Sequence, residues 1–116
     1  MKKIIHVDNS SFFRKFMGSF LAREGFEVES FDNAQDSTLA ISSGAVDMVI
    51  LGLTFADAEG DEFLKKVQNS FSGPIIVVSS SVKKHEAKLM SYGIKDAICK
   101  TGAWQDRLRL HLSALK

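Results

Sequence analysis

Polar residues that could bind a metal ion or a small anion follow the apolar runs of this sequence at four places, residues 8–9, 52–54, 79–81 and 99–101. Asp8 offers a carboxylate, Ser79 a hydroxyl and Lys100 an ammonium group. A carboxylate with further oxygen ligands suits a hard divalent cation, whereas a hydroxyl with an ammonium group suits an anion. The chemistry therefore depends on which of these groups the fold brings together.

Other residue types that catalyse reactions occur without the partners they need. The run Ser79-Ser80-Ser81 lacks the G-x-S-x-G pattern of a nucleophile elbow and has no evident base beside it. His85 and His111 lie in separate predicted helices with no Cys or His at ligand spacing, and no glycine-rich phosphate-binding motif is present. We predict no catalytic residue, no metal site and no cofactor. His6, in a central strand, is predicted to be a hydrogen-bonded core residue.

Apolar runs of strand length alternate with segments of helical period along the whole chain. Phe12, Phe16 and Phe20 repeat every four residues, which predicts a first helix that Gly25 ends. Phe13 adds to this stripe, so we expect either Phe12 or Phe13 to be exposed. The predicted strands are 4–7, 26–31, 48–51, 75–78 and 96–99, and the predicted helices are 10–24, 33–43, 62–69, 83–91 and 104–115.

This alternation predicts an α/β fold, because right-handed crossovers join successive strands into a parallel sheet with helices on both faces. In such sheets ligands bind beyond the carboxyl ends of the central strands. The four polar segments follow predicted strands, so we expect them to share that edge of the sheet.

The composition describes one soluble globular domain over residues 1–116, of which 45% are hydrophobic. The 15 basic and 14 acidic residues provide no uniform basic coat for nucleic acid. We find no apolar stretch long enough for a signal peptide or a membrane span, and the single cysteine, Cys99, is compatible with a reducing cytoplasm. We therefore expect a cytoplasmic domain that binds neither nucleic acid nor membrane.

The sequence resembles the receiver domains of bacterial two-component response regulators over essentially its whole length. The matching residues are Val7-Asp8-Asn9-Ser10, Arg14, Asp47-Met48-Val49-Ile50-Leu51-Gly52, Asp57-Ala58-Glu59-Gly60, Val78-Ser79 and Lys100. The resemblance implies a flavodoxin-like (βα)5 three-layer sandwich with strand order 2-1-3-4-5. It also implies a role in signalling and not in enzymatic catalysis.

Active receivers resemble one another at five positions: two acidic residues that hold Mg²⁺, an aspartate that accepts a phosphoryl group, a Ser or Thr, and a lysine. Here these positions are Asp8, Asn9, Gly52, Ser79 and Lys100. Glycine has no side chain, so no acyl phosphate can form at position 52. The resemblance therefore points to a degenerate pseudo-receiver that lacks the phosphoryl acceptor.

Two nearby aspartates do not replace the acceptor, because Asp47 lies at the opposite end of the third predicted strand and Asp57 lies in the loop that follows it. Only Asp8 keeps a negative charge at the five positions, so we expect Mg²⁺ to bind weakly or not at all. Lys100 then faces Asp8 alone, and we expect a direct ion pair between them. In the alternative, Lys100 is solvated and Asp8 only caps the first helix.

Two further positions differ from the receiver pattern. The aromatic residue that changes rotamer in active receivers is replaced by Ala97, so the usual switch has lost its moving part. The residue after the lysine, normally a proline in a cis peptide, is Thr101, for which a cis bond would cost about 3 to 4 kcal/mol. We expect a trans peptide there.

Two functions follow from these observations. The first is a phosphorylation-independent pseudo-receiver that binds protein partners through the face of the fourth helix, fifth strand and fifth helix. Residues 83–116 hold 8 basic and 3 acidic side chains, and the predicted surface comprises Lys83, Lys84, Lys88, Lys95, Arg107 and Arg109. The partner would be an output domain in the same chain or a second copy, unless these charges are only a solvated face. The alternative is a small anion or metabolite sensor that uses Lys100, Ser79 and loop amides.

Overall fold

The computed structural model describes residues 1–52 and 60–116 and contains five strands and five helices. The strands are β1 (Lys3–Val7), β2 (Glu27–Phe31), β3 (Met48–Leu51), β4 (Ile75–Ser79) and β5 (Asp96–Cys99). The helices are α1 (Ser11–Arg23), α2 (Ala34–Ser42), α3 (Gly60–Ser70), α4 (Val82–Ser91) and α5 (Trp104–Leu115). The predicted elements are all present, with ends that differ by at most a few residues.

The five strands form one parallel sheet in the order β2-β1-β3-β4-β5. This confirms the flavodoxin-like strand order that the receiver resemblance implied. The two continuously apolar strands, β3 and β4, lie inside the sheet, and all of their residues are buried. Their composition is therefore explained by helices that cover both faces.

Each face of the sheet has its own apolar core. On one face, α1 and α5 pack through Met17, Phe20 and Leu108 against strand residues such as Ile50. On the other face, α2, α3 and α4 pack against the alternate strand residues, with Phe63 of α3 fully covered. Successive side chains of a strand point to opposite faces, so the same strands serve both cores.

Local sequence signals determine where α2 begins and where α1 ends. The Asn33 side chain accepts a hydrogen bond from the backbone N–H of Asp36 at 2.8 Å, which confirms its predicted role at the start of α2. Gly25, two residues after α1, adopts φ +94°, a left-handed conformation that glycine reaches without steric cost. Its conformation lets the chain turn from α1 directly into the edge strand β2.

Candidate functional site

The carboxyl ends of the strands bring four predicted site residues to one edge of the sheet. The backbone N–H of Gly52 donates to Val7 O at 2.9 Å, which ties the end of β3 to the end of β1. The N–H of Lys100 donates to Ser79 O at 3.2 Å and ties the end of β5 to that of β4. This convergence agrees with the rule that parallel strands present their functional residues beyond their carboxyl ends.

Asp8 is the centre of this edge, with a side chain that is only 3% exposed. Its Oδ1 accepts a hydrogen bond from the Ser10 N–H at 2.9 Å, and its Oδ2 accepts one from Lys100 Nζ at 2.7 Å. The Arg14 guanidinium donates to the Asp8 backbone carbonyl at 2.6 Å. The predicted Asp8–Lys100 ion pair is thus present. The side chain that caps α1 is Ser10, which accepts from the Phe13 N–H at 3.2 Å.

The ammonium group of Lys100 has a second contact that the sequence did not predict. It lies 4.0 Å from the centroid of the Phe13 ring, within the range of a cation–π interaction. The Lys100 side chain is 21% exposed, so both contacts are shielded in part from water. Phe13 in turn lies 5.3 Å from the ring of Trp104, which connects this edge to α5.

Gly52 is buried directly against the Asp8 carboxylate. A Cβ at position 52 would lie 2.9 Å from Asp8 Oδ2 and 3.3 Å from Asp8 Cγ. Cβ atoms do not approach other heavy atoms this closely, so any larger residue would force the carboxylate to move. The missing side chain at position 52 is therefore what allows Asp8 to occupy its present position beside Lys100.

Ser79 and Asn9 contribute less to the site than the sequence suggested. The Ser79 hydroxyl lies 3.1 Å from that of Ser81 and accepts from the Ser81 N–H at 3.2 Å, so it organises the turn into α4. Asn9 is exposed to solvent. The structure thus unites Asp8, Gly52 and Lys100 closely and leaves these two at the margin.

The residues present do not fit a magnesium ion. One oxygen of the Asp8 carboxylate is bound by Lys100, and position 52 offers no oxygen from a side chain. Over residues 1–52 and 60–116 no group of three or more His, Cys, Asp or Glu residues is arranged to hold a metal. Asp47 lies at the far end of β3, where it accepts from the Lys3 N–H at 2.8 Å, and Asp57 is outside the described residues.

His6 is completely buried beneath this edge. The prediction that it is a core residue is confirmed, but the described residues provide no hydrogen-bond partner for its side chain. Neither Nδ1 nor Nε2 has a partner within the part of the chain that the structure describes, and the ring packs edge-on against Phe13 at 5.8 Å. Burial lowers the pKa of His6 to about 4, although the nearby Asp8 carboxylate acts in the opposite direction.

The two positions that differ from the usual switch of receivers lie in or beside β5. Ala97 is 1% exposed and pairs with Val77 of β4, so a small side chain fills a fully packed position. The peptide between Lys100 and Thr101 is trans, as predicted, because the described residues contain no cis bond.

Two of the six basic residues of the predicted surface have partners outside α4, β5 and α5. Lys83, Lys84 and Lys95 are exposed, while Lys88 pairs with Asp61 of α3, a contact that raises the Lys88 pKa. Arg109 faces α1, where it lies 3.5 Å from Glu24 and 5.1 Å from the Phe20 ring. The Arg109 side chain is thus directed towards α1, and the interaction surface of α4, β5 and α5 stays a prediction.

Sequence reasoning missed a charged cluster between β5 and α5. Asp96 accepts from Arg107 Nε at 2.9 Å and lies 2.8 Å from His111 Nε2. Burial acts to raise the pKa of Asp96, but the hydrogen bonds from Arg107 and His111 hold it below its usual value. The spacing of Arg107 and His111, one helical turn apart, was the available signal. This spacing predicts a shared partner only when an acidic residue is known to lie at the start of the neighbouring strand.

The fold and its polar edge define a doubly wound α/β protein with its functional residues beyond the strand ends. Residues 4–112 match the sequence profile of the family described as the response regulator receiver domain, and the chain belongs to that family. It is a signalling-type domain of two-component systems. In residues 1–52 and 60–116 no helix is long and apolar enough to cross a membrane.

Several known proteins are similar to this chain. The KDP operon transcriptional regulatory protein KdpE of Escherichia coli is 27% identical over 97% of this chain and 52% of its own length. The response regulator ArlR of Staphylococcus aureus is 26% identical over 86% of this chain and 46% of its own length. The chain thus spans about half the length of these curated relatives.

Solved structures share the fold at lower identity. The response regulator TrrA of Thermotoga maritima, solved in complex with Mg²⁺ and BeF, has 23% identity and a TM-score of 0.87, with both chains covered completely. A CheY-like receiver domain protein of Methanospirillum hungatei has 22% identity and a TM-score of 0.87, with 99% of this chain and 94% of that chain covered. At these identities the likeness concerns the fold.

Proposed function

We propose that this chain is a pseudo-receiver, a cytoplasmic receiver-family module that regulates a protein partner without being phosphorylated. The observation that carries the proposal is the Asp8 carboxylate, which fills the space beside Gly52 and binds Lys100 directly. Two charges that would otherwise be available to a metal and a phosphoryl group neutralise each other. The pocket therefore needs neither ligand to satisfy its polar groups.

Contact with a partner is supported by an apolar groove of about 490 Å³ between β5 and α5. Its walls include Ile98, Cys99, Trp104 and Leu110, and Leu110 is 73% exposed. Asp106 and Arg107 also line this groove and give it a charged margin. Exposed apolar surface with a charged rim is typical of protein contacts, and we place the partner, an output domain or a second copy, on this β5–α5 groove.

The alternative, an anion sensor in the same pocket, has less support. Lys100 is bound to Asp8, and the Ser79 hydroxyl is engaged by Ser81, so both predicted anion ligands would first have to leave their partners. Breaking an ion pair that is largely buried is costly, because it leaves one charge without compensation. Sulfate-dependent thermal stabilisation that Lys100→Met abolishes would favour this alternative over the pseudo-receiver.

The test measures whether the chain is phosphorylated and whether its self-association depends on a phosphoryl analogue. The chain is incubated with acetyl phosphate and Mg²⁺, and intact-mass spectrometry is expected to show no phosphoryl adduct. Sedimentation velocity is expected to give the same association state with and without Mg²⁺ and beryllofluoride, and Leu110→Asp is expected to weaken association. A hydroxylamine-labile adduct, or association that depends on beryllofluoride, would overturn the proposal.

A matched control distinguishes the groove from other exposed apolar residues. Leu39 of α2 is 82% exposed and lies away from β5 and α5. Leu39→Asp should leave association unchanged. If it weakens association as much as Leu110→Asp does, the contact does not lie in the β5–α5 groove.

A further inference from the structure

A second cavity lies at the opposite end of the sheet from the Asp8–Lys100 pair. It has a volume of about 590 Å³, within the usual range of about 300 to 1,000 Å³ for small-molecule sites. It is bounded by the amino ends of β3, β4 and β5, the end of α3 and the last turns of α5, with walls that include Met48, Phe71, Ile75, Lys95, His111 and Leu115. We propose that this cavity binds a small organic monocarboxylate with an apolar body, held by Lys95.

The apolar part of the cavity is formed by well-packed residues. Met48 and Ile75, the first residues of β3 and β4, are 1% and 5% exposed. The Phe71 ring lies over Gly73 so closely that a Cβ on Gly73 would approach its Cζ to 2.5 Å. Glycine at this position thus lets the ring close one wall. A flat or branched hydrocarbon body would be enclosed there, and its burial would supply affinity.

The cavity carries positive charge, which comes from Lys95. None of its lining residues is acidic. Lys95 is exposed and, within the described residues, forms no ion pair. The nearest carboxylate to His111, that of Asp96, is already bound by Arg107. A ligand with one negative charge would therefore meet a lysine that has no ion-pair partner among the described residues.

His111 is held in a fixed orientation. Its Nε2 lies 2.8 Å from Asp96 Oδ2, which leaves Nδ1 as the ring atom available to a ligand. A carboxylate only accepts hydrogen bonds, so the Nε2 proton of His111 points towards Asp96. Because the His111 side chain is only 19% exposed, a ligand bound beside it would be shielded in part from water.

Helix ends at this edge do not cancel the positive charge, because several of their carbonyl groups already have partners. Tyr92 O accepts from the Gln68 side chain, Met90 O from the Gly93 N–H at 3.1 Å and Leu112 O from the Lys116 N–H at 3.2 Å. Lys95 is the one Lys or Arg among the described residues that line the cavity. A single ammonium group balances one carboxylate, whereas it leaves a multiply charged phosphate largely uncompensated.

The test is a titration of the ¹⁵N-labelled chain with 2-naphthoate, followed by amide chemical shifts, with neutral 2-naphthamide as the matched ligand. Saturable shifts at Lys95, His111 and Ile75 are expected for the carboxylate and weaker binding for the amide. Lys95→Gln should weaken 2-naphthoate binding about fivefold, the effect of one exposed charge partner. Lys84→Gln, an exposed lysine on α4, should not.

Ala114→Phe provides a second variant, because Ala114 lies in the last turns of α5, is exposed and lines the cavity. The larger side chain should fill the space and abolish the shifts without contact with Asp96. The proposal is overturned by equal binding of the amide and the carboxylate, by shifts confined to the Asp8–Lys100 edge, or by unchanged binding in both Lys95→Gln and Ala114→Phe. Loss of this binding would leave the pseudo-receiver proposal untouched, since that rests on the other end of the sheet.

Discussion

The Asp8 carboxylate lies where a side chain at position 52 would be, with Oδ2 only 2.9 Å from the point that a Cβ on Gly52 would occupy. A residue type at the end of one strand therefore determines the position of a charged group at the end of another. Lys100 is within reach of Asp8 because position 52 is empty of side-chain atoms. This relationship makes the predictions below specific to this chain.

Gly52→Ala should lower the free energy of unfolding by about 1 to 3 kcal/mol, the usual cost of forcing an extra methyl group into a packed site. Urea denaturation measures it. Gly18→Ala is the matched control, since a Cβ on Gly18 of α1 would meet no atom within 4 Å and alanine favours a helix. In an Asp8→Ala background the cost of Gly52→Ala should largely disappear. An equal cost in both backgrounds would show that Asp8 is not the obstacle.

Lys100→Met should destabilise the fold by about 3 kcal/mol, because it removes the ion pair of the Asp8 carboxylate, which is only 3% exposed. Among the described residues, the Ser10 backbone N–H would then be the remaining donor to that carboxylate. Asp8→Asn combined with Lys100→Met should recover much of the loss, since no unpaired charge remains. Thermal and urea unfolding of the single and double variants measure the coupling free energy between Asp8 and Lys100. Lys2→Met is the control, because Lys2 is 53% exposed and lies 4.0 Å from Asp47. A Lys100→Met variant as stable as that control would contradict the importance of the pair.

Asn9→Asp together with Gly52→Asp should create measurable Mg²⁺ binding, whereas Gly52→Asp alone should create little. A hard cation needs several oxygen ligands, and the single change still leaves an amide at position 9. Trp104 fluorescence is a suitable signal, since its ring lies 5.3 Å from Phe13, which in turn contacts Lys100. Equally tight binding by the single and double variants would show that Asn9 does not limit the site.

The sequence predicts the fold well because its signals are repeated and local. Continuous apolar runs at β3 and β4, a capping Asn33 and a glycine after α1 all indicate the same alternation of strands and helices. The Asp8–Lys100 pair could also be predicted. Once the other carboxylates are missing, charge balance leaves these two groups facing each other at the strand ends.

Features that depend on side-chain direction could not be read from the sequence. The first helix has a surplus of phenylalanines, which indicates that one is exposed but not which; the structure exposes Phe12 at 75% and packs Phe13 against Lys100. Arg109 could not be placed because one residue along a helix turns a side chain by about 100°, enough to face α1 instead of β5. The contact between His111 and Asp96 likewise could not be predicted, because it depends on the distance between α5 and β5.

The buried imidazole of His6, which has no hydrogen-bond partner among the described residues, should make the fold sensitive to acid. Burial lowers its pKa from 6.5 to about 4 in the folded chain. Between these two values the unfolded chain binds a proton that the folded chain does not, so stability should fall as the pH drops from 6.5 towards 4, by up to about 3 kcal/mol. The Asp96 carboxyl, whose folded pKa is held below its usual value, loses its contribution at lower pH, below the range of His6.

His6→Val should remove this pH dependence and stabilise the fold at neutral pH by about 1 to 2 kcal/mol. The change replaces two buried nitrogens that have no partner among the described residues by an apolar β-branched side chain suited to a strand. The measurement is urea unfolding at several pH values between 4 and 7 for the wild-type and variant chains. His85→Gln, on the exposed surface of α4, serves as the control and should keep the wild-type slope. If the stability of His6→Val depends on pH as steeply as that of the wild-type chain, the acid sensitivity arises from another group. A loss of stability at neutral pH would show that the imidazole nitrogens of His6 are hydrogen-bonded in solution.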